Sequence, residues 1–321
     1  MSPIQTICIL GGTGFIGRRI ANQLANTPVH IRVLTRHRER NRHLLPIPNL
    51  ELVEVNVHDA EALNNALADA DVVVNLIAIL NEDKKPGRRF EDIHITLVEK
   101  ILAACKATGV KRLLQMSSLG AEEDAPSRYQ QTKAKGEQLA LAANSAEMGV
   151  TVFKPSVVFG PNDSFLNTFA NLLKVSPIMP LPTPNARFQP VFVDDVATAF
   201  TKVMNNTDTF GRTYELGGPS VYTLEALVRY VAQLLGRRRL IIGLPDGLSK
   251  LQGKIMQHAP GKPYTFDNYL SAQVDNVCSE NGLLTLDIHP TALEAVAPDY
   301  IGGHSPRGRY DEWRRDAGRH G

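Results

Sequence analysis

An apolar run near the N-terminus, ICILGGTGFIGRRIANQL, breaks into four glycines within seven residues, Gly11, Gly12, Gly14 and Gly17, and then resumes in a helical pattern. That much bare backbone between a strand-like and a helix-like segment constrains the fold more than any other feature of the chain. Glycine turns tightly and lets other groups approach the backbone with no Cβ in the way. The first half keeps the same alternation. Short β-branched or apolar runs at residues 4–10, 29–35, 50–55, 72–76, 113–116 and 150–153 are separated by amphipathic segments near 16–24, 60–67, 90–107 and 129–143. Strand, helix, strand at this spacing predicts βαβ crossovers and an α/β fold with a doubly wound parallel sheet.

After Pro155 the rhythm loosens, so the chain divides into a sheet domain over 1–155, a smaller mixed α/β C-terminal domain over 156–301 with the chain returning to the sheet, and a flexible basic tail over 302–321. SPIMPLPTPNARFQP holds five prolines and predicts a surface loop; PVFVDDVATAFTKVM reads as a strand entering a helix, and TLEALVRYVAQLL as a helix capped by Thr223. The tail has little apolar content except Tyr310 and Trp313 and reads either as a frayed end or as a docking segment.

Lys plus Arg number 35 against 33 Asp plus Glu, a formal charge of +2, which argues against a nucleic-acid binder held by phosphate neutralisation. A small ligand or a protein partner fits better. Cys8, Cys105 and Cys278 are far apart in apolar surroundings and suit reduced thiols rather than a disulfide framework or a zinc site. Apolar residues from Ile4 lead straight into the glycine loop, leaving no room for a targeting peptide, and no apolar run approaches the ~20 residues of a membrane span. A soluble protein without a transmembrane segment is expected.

Gly11, Gly14 and Gly17 form G-x-x-G-x-x-G between a strand and a helix, where a pyrophosphate can approach the backbone at the positive end of the helix. The second strand ends VLTRHRER with no acidic residue to meet an adenosine ribose. Arg36 instead offers a guanidinium suited to a 2′-phosphate, favouring NADP(H) over NAD(H), while Arg38 and Arg40 read as a solvated loop. Asp59 stands where it can cap a helix and reach an adenine, and the cap alone would explain it. Further on, Ser117 and Ser118 lie just beyond the fifth strand, and Tyr129 and Lys133 share one face of a helix. A Lys ammonium beside a Tyr stabilises phenolate, so the Tyr can give or take a proton while a Ser hydroxyl orients a substrate oxygen.

These motifs, with NLIAIL, YQQTKAKGE, KPSVVFGPND, QPVFVDDVA, YELGGPSVYTLEALV and LDIHPTALEAVAPDYI, resemble an extended or atypical short-chain dehydrogenase/reductase of the NAD-dependent epimerase/dehydratase type. Within it the chain is most similar to the nucleotide-binding accessory subunit family of respiratory complex I. The resemblance implies a Rossmann fold in which the loop through Gly11, Thr13, Gly14, Phe15, Ile16 and Gly17 holds the pyrophosphate, and Arg36 meets the 2′-phosphate. It further implies that Asn75 and Ala78 border the cofactor, and that Pro155 and Ser156 lie beside the nicotinamide. Ser118, Tyr129 and Lys133 would occupy the catalytic positions, Lys133 also binding the nicotinamide ribose. Two departures stand out: Lys154 replaces an arginine common in the family, and the short segment from Ser118 to Tyr129 speaks against a nucleotide-sugar substrate.

The resemblance leaves two main functions open. One is an NADPH-holding accessory or assembly subunit on the peripheral arm of respiratory NADH:quinone oxidoreductase, cytoplasmic and peripheral on the cytoplasmic face of the inner membrane. The other is an NADP-dependent reductase, dehydrogenase or epimerase acting on a small carbonyl, in quinone metabolism for instance, with Tyr129 as acid/base; a redox sensor is a third. Elsewhere His43, His58, His94 and His289 lack metal-ligand spacing and read as surface or capping histidines. Asp194 and Asp195 read as an N-cap, and Arg237, Arg238 and Arg239 as a solvated turn or a contact with a protein or anionic lipid heads.

Overall fold

The computed structural model describes residues 3–83, 87–259, 262 and 264–302. Nearly all of the basic tail therefore lies outside the described residues. The chain forms two compact units, one made of Met1–Ser156, Val193–Gly217 and Cys278–His289, the other of Val157–Phe192, Gly218–Val277 and Pro290–Gly321.

In the first unit the expected alternation takes the form β1 (Thr6–Leu10), α1 (Phe15–Leu24), β2 (His30–Thr35), β3 (Leu50–Glu54), α2 (Ala60–Leu67), β4 (Val72–Asn75), α3 (Leu97–Thr108), β5 (Arg112–Met116), α4 (Arg128–Ala142) and β6 (Gly149–Pro155). A seventh strand, Arg212–Leu216, pairs parallel to β6, and the sheet runs in the order Arg212–Leu216, β6, β5, β4, β1, β2, β3. Every pairing is parallel. Strands covered on both faces read as continuous apolar runs, which is why β4, Val-Val-Val-Asn, is buried throughout. The core on one side gathers Leu10, Leu34, Leu63, Leu97, Ile101 and Val152.

β5 starts one residue before the expected apolar run, at Arg112, whose charge conceals it from a reading by hydropathy. This arginine is fully buried. Its Nη2 donates to Thr151 Oγ1 at 2.8 Å, Thr209 Oγ1 at 2.7 Å and the Val203 carbonyl at 3.1 Å, and the guanidinium lies over the Phe210 ring. It ties the sheet to the returning segment 193–217. The helix Val193–Val203 of that segment packs on α1, with Arg19 and Asp194 3.5 Å apart. Asp194 and Asp195 fall inside its first turn, where a carboxylate still meets the positive end of the helix dipole, rather than at its N-cap as the sequence suggested.

The helix expected over 90–107 contains a π-helical stretch, Asp92–Thr96, ahead of α3. Close packing accompanies it: a Cβ at Gly136 of α4 would stand 2.1 Å from the His94 carbonyl oxygen. π-turns of this kind recur at functional sites.

The second unit has a core of Leu166, Leu173, Leu227, Val231, Leu293 and Ala297. Three two-stranded pairs surround it: Val158–Phe159 with Val191–Phe192, Arg187–Phe188 with Tyr222–Thr223, and Ile178–Leu181 with Leu240–Gly243. The proline-rich stretch read as a loop thus contributes two strands, and a two-stranded pair accommodates Pro180 because an edge strand has amide positions that need no partner. Thr223 caps the helix Leu224–Leu234, its Oγ1 accepting the Ala226 N–H at 3.1 Å. Among the described residues no helix is long and apolar enough to cross a membrane.

Candidate functional site

In a parallel sheet all strands end on one edge. Here that edge carries Gly11 after β1, Arg36 after β2, Asn75 at the end of β4, Ser117 and Ser118 after β5, and Pro155 and Ser156 at the end of β6. The chain leaves β1 toward β2 and β3 and resumes at β4 on the other side of β1, so the strand order reverses between β1 and β4. That reversal opens the crevice in which doubly wound sheets hold ligands.

At β1, Gly11 turns with φ +77°, and its carbonyl accepts the Gly14 N–H at 2.9 Å. Gly14 is the N-cap of α1 and brings no side chain to it, and the first turn holds no acidic residue. The free N–H groups there are left for an anion. A Cβ at Gly17 would stand 2.4 Å from Gly12 Cα and 2.7 Å from the Gly11 oxygen, so the helix can begin this close to the loop only with glycine. Thr13, Phe15 and Ile16 around it are half-buried.

Beyond β2, Arg36 is exposed. Lys100 Nζ donates to the His58 carbonyl at 2.7 Å. Burial lowers the pKa of His58, Lys100 pushes in the same direction, Asp92 opposes it, and Arg36 adds a smaller push downward. Glu54, at the end of β3, accepts the Arg38 N–H at 2.7 Å. Asp59 caps α2, its Oδ1 accepting the Ala62 N–H at 3.0 Å.

Asn75 is buried and engaged through both its nitrogen and its oxygen, donating to Gln115 Oε1 at 2.9 Å and accepting the Ile77 N–H at 3.2 Å. It fixes the turn that leads to exposed Ala78. One residue on, the Ile79 N–H donates to His94 Nε2 at 3.3 Å. His94 is not a surface histidine. It is buried, its Nδ1 pairs with Thr132 Oγ1 at 3.0 Å, and burial together with the charge of Lys133 drives its pKa down to about 2. The ring stands edge-on to Tyr129, with centroids 5.5 Å apart, and Phe90 meets the same tyrosine at 5.8 Å.

Ser127 caps α4, and Tyr129, Lys133 and Glu137 follow at successive turns of it. Lys133 is buried, its Nζ donating to the Met116 carbonyl at 2.7 Å. Burial lowers its pKa to about 8, while Glu137 pulls the other way. Glu137, itself raised chiefly by burial, accepts Ser117 Oγ at 2.7 Å and lies 3.6 Å from Lys154. Lys154 also reaches Glu122 at 3.3 Å. Lys154 thus sits between the two carboxylates Glu122 and Glu137. Ser118 Oγ is buried and, among the described residues, has no hydrogen-bond partner. A buried hydroxyl left unpaired costs ~1–3 kcal/mol, which a polar group arriving beside it would recover. Leu119 N–H donates to the Pro155 carbonyl at 3.0 Å and Ser156 N–H to the Leu216 carbonyl at 2.9 Å, tying together the ends of three neighbouring strands.

A glycine cradle at a helix start, a basic group after β2 and an unpaired hydroxyl near a Tyr/Lys helix suit a dinucleotide and a carbonyl oxygen. These are the marks of a short-chain dehydrogenase-type nucleotide-binding fold. The chain belongs to the NAD dependent epimerase/dehydratase family, whose model matches residues 7–217. It is similar to NADH dehydrogenase (ubiquinone) 1 alpha subcomplex subunit 9, mitochondrial, of Arabidopsis thaliana, at 29% identity over 91% of this chain and 76% of that protein. The Mus musculus protein of the same name is 28% identical over 92% of this chain and 79% of its own length. Among solved structures, MoeE5 in complex with UDP-glucose and NAD superposes with a TM-score of 0.73 at 18% identity, over 97% of this chain and 99% of that one. That likeness speaks for the fold.

The sequence showed His94 only as a surface or capping histidine and gave no direct sign of the parts played by Lys100, Gln115 and Glu137. Only Glu137 carried a signal, one further step in the Tyr129, Lys133 spacing. A lone histidine and a lone lysine on helices gave none.

Proposed function

We propose that the protein is an NADP(H)-binding accessory or assembly subunit of a respiratory NADH:quinone oxidoreductase, attached to its peripheral arm on the cytoplasmic face of the inner membrane. The observation that carries this reading is the extent of the similarity to the plant and mouse subunits, which spans nine-tenths of the chain and so includes both units. The cofactor would be held through its pyrophosphate by the backbone from Gly11 to Gly17, with Thr13, Gly14, Phe15 and Ile16 around it. Its 2′-phosphate would meet Arg36, and its ribose Lys133. Asp59 would border the adenine, Asn75 and Ala78 the middle of the cofactor, and Pro155 and Ser156 the nicotinamide. On this reading Tyr129 and Lys133 grip the cofactor.

The test is a gentle purification of the tagged protein from solubilised native membranes, with mass spectrometry of the co-purifying proteins and of the nucleotide released on denaturation. NADPH together with subunits of the oxidoreductase is the expected result. Free protein carrying NAD(H), or no nucleotide, would overturn it.

The unpaired Ser118 hydroxyl favours a second reading, an NADP-dependent reductase, dehydrogenase or epimerase on a small carbonyl. The nicotinamide would supply or accept hydride. Ser118 Oγ would donate to the substrate oxygen, and Tyr129 would give or take its proton. Below its pKa of about 8 Lys133 is an ammonium, which stabilises the phenolate form of Tyr129. Tyr129→Phe should then abolish turnover and leave NADPH affinity within a few-fold; unchanged turnover rejects the assignment.

A further inference from the structure

The second unit wears part of its apolar surface on the outside. Along the helix Asp246–Met256, Ser249 and Gly253 face inward, Ser249 Oγ against the Leu244 and Pro245 carbonyls and Gly253 against Thr265 and Phe266. Leu248, Leu251 and Ile255 are 50%, 50% and 62% exposed. At about 100° per residue these three fall within roughly 60° of arc, centred some 130° from Ser249. The helix therefore turns a leucine stripe away from its own core, which scattered surface leucines would not produce.

The strand pair just before it repeats the pattern. Ile178 pairs with Leu240 and Pro180 with Ile242, and all four are exposed, while Met179, Leu181 and Ile241 between them are buried.

Charge says what such a surface would meet. Residues 237–256 contain Arg237, Arg238, Arg239, Lys250 and Lys254 against the single carboxylate Asp246, in a chain whose overall charge is only +2. Asp246 is occupied by the Tyr269 hydroxyl at 2.8 Å. Arg239 is structural, its Nε donating to the Leu173 carbonyl at 2.7 Å at the end of the helix Leu166–Val175. Arg237 and Arg238 are exposed, and neither has an ion-pair partner among the described residues. An exposed leucine stripe with lysines on the flank of the same helix, preceded by two free arginines, has the composition of an interfacial element.

We infer that the strand–helix segment Arg237–Met256 docks the second unit on an anionic lipid surface, the arginines and lysines meeting headgroup phosphates and Leu248, Leu251 and Ile255 entering the headgroup–acyl boundary. This rests on the surface alone and holds under either function above.

The test is co-sedimentation of the full-length protein with vesicles of phosphatidylcholine, with and without phosphatidylglycerol. Binding should require phosphatidylglycerol and weaken with salt. R237A/R238A should lower the partition coefficient on the order of thirtyfold, at about fivefold per basic residue, and L248S/L251S/I255S by roughly tenfold or more. Unchanged far-UV circular dichroism checks folding, since every altered side chain is exposed. Absence of phosphatidylglycerol-dependent binding, or binding that survives both sets of substitutions, overturns the inference. So does a dimer in size-exclusion chromatography that Leu251→Glu disperses, which would assign the stripe to a second copy of the chain.

Discussion

Replacing His94 by leucine should remove a pH dependence built into the site. The imidazole is held as one neutral tautomer: Thr132 Oγ1 donates to the Arg128 carbonyl at 2.8 Å and so accepts from His94 Nδ1, while His94 Nε2 accepts the Ile79 N–H at 3.3 Å. Protonation would turn Nε2 into a donor facing another donor, in a buried position that already feels Lys133. The folded pKa, about 2, therefore lies below the ordinary value of 6.5. Between those values the unfolded chain binds the extra proton, so the stability is fully present above pH 6.5 and is lost as pH falls, by about 1.4 kcal/mol per unit. From pH 7.5 to 5 the loss is ~2 kcal/mol. Urea melts of wild type and His94→Leu followed by far-UV circular dichroism at pH 7.5 and pH 5 measure it. The variant loses both hydrogen bonds and should be less stable at pH 7.5, but the gap should narrow by ~2 kcal/mol at pH 5. A gap independent of pH would refute a neutral, doubly bonded His94.

Arg36→Ala should weaken NADPH binding by roughly ten- to a hundredfold, the worth of a charge-assisted bond, and leave NADH binding within twofold in calorimetric titration; equal losses for both would remove Arg36 from the 2′-phosphate. Gly17→Ala should abolish nucleotide binding in the same titration, because its Cβ would stand 2.4 Å from Gly12 Cα and force helix and loop apart. NADPH affinity should fall as pH rises through about 8, where Lys133 loses its charge, and Lys133→Met should flatten that profile, with direct binding from pH 6.5 to 9 as the measurement. Gly136→Ala should lower the melting temperature by several degrees, since its Cβ would meet the His94 carbonyl at 2.1 Å.

The sheet was legible because its signal is local: β1 to β6 lie on the six apolar runs, and the glycines sit where a strand must turn into a helix. Arg112 escaped because its three oxygen partners come from residues 39 to 97 positions away, contacts that no window of sequence contains. The strands Ile178–Leu181 and Arg187–Phe188 were hidden by prolines, which weigh against a central strand but are tolerated in short edge pairs. At the site, Gly11, Gly17 and the Tyr129, Lys133 pair follow from spacing. His94 does not, since its burial depends on α4 coming close enough at Gly136 to touch its carbonyl.

The same dependence bears on what the Tyr/Lys pair is for. Lys133 is held from below by the Met116 carbonyl, and Glu137 behind it is fixed by Ser117 and Lys154, so the ammonium keeps its position whether or not a proton ever moves at Tyr129. Tyr129 is flanked in turn by Phe90 and His94, which belong to the segment that also holds the Ile79 amide beyond Asn75. A chain that only needed to grip a ribose would gain from every one of these contacts. It would gain nothing from burying an unpaired Ser118 hydroxyl, which costs stability until an oxygen or a donor comes to meet it. Ser118→Ala therefore separates holding from reacting: if the site only holds, the substitution stabilises the protein or leaves it unchanged and NADPH binds as before, whereas a reacting site loses turnover at unaltered affinity.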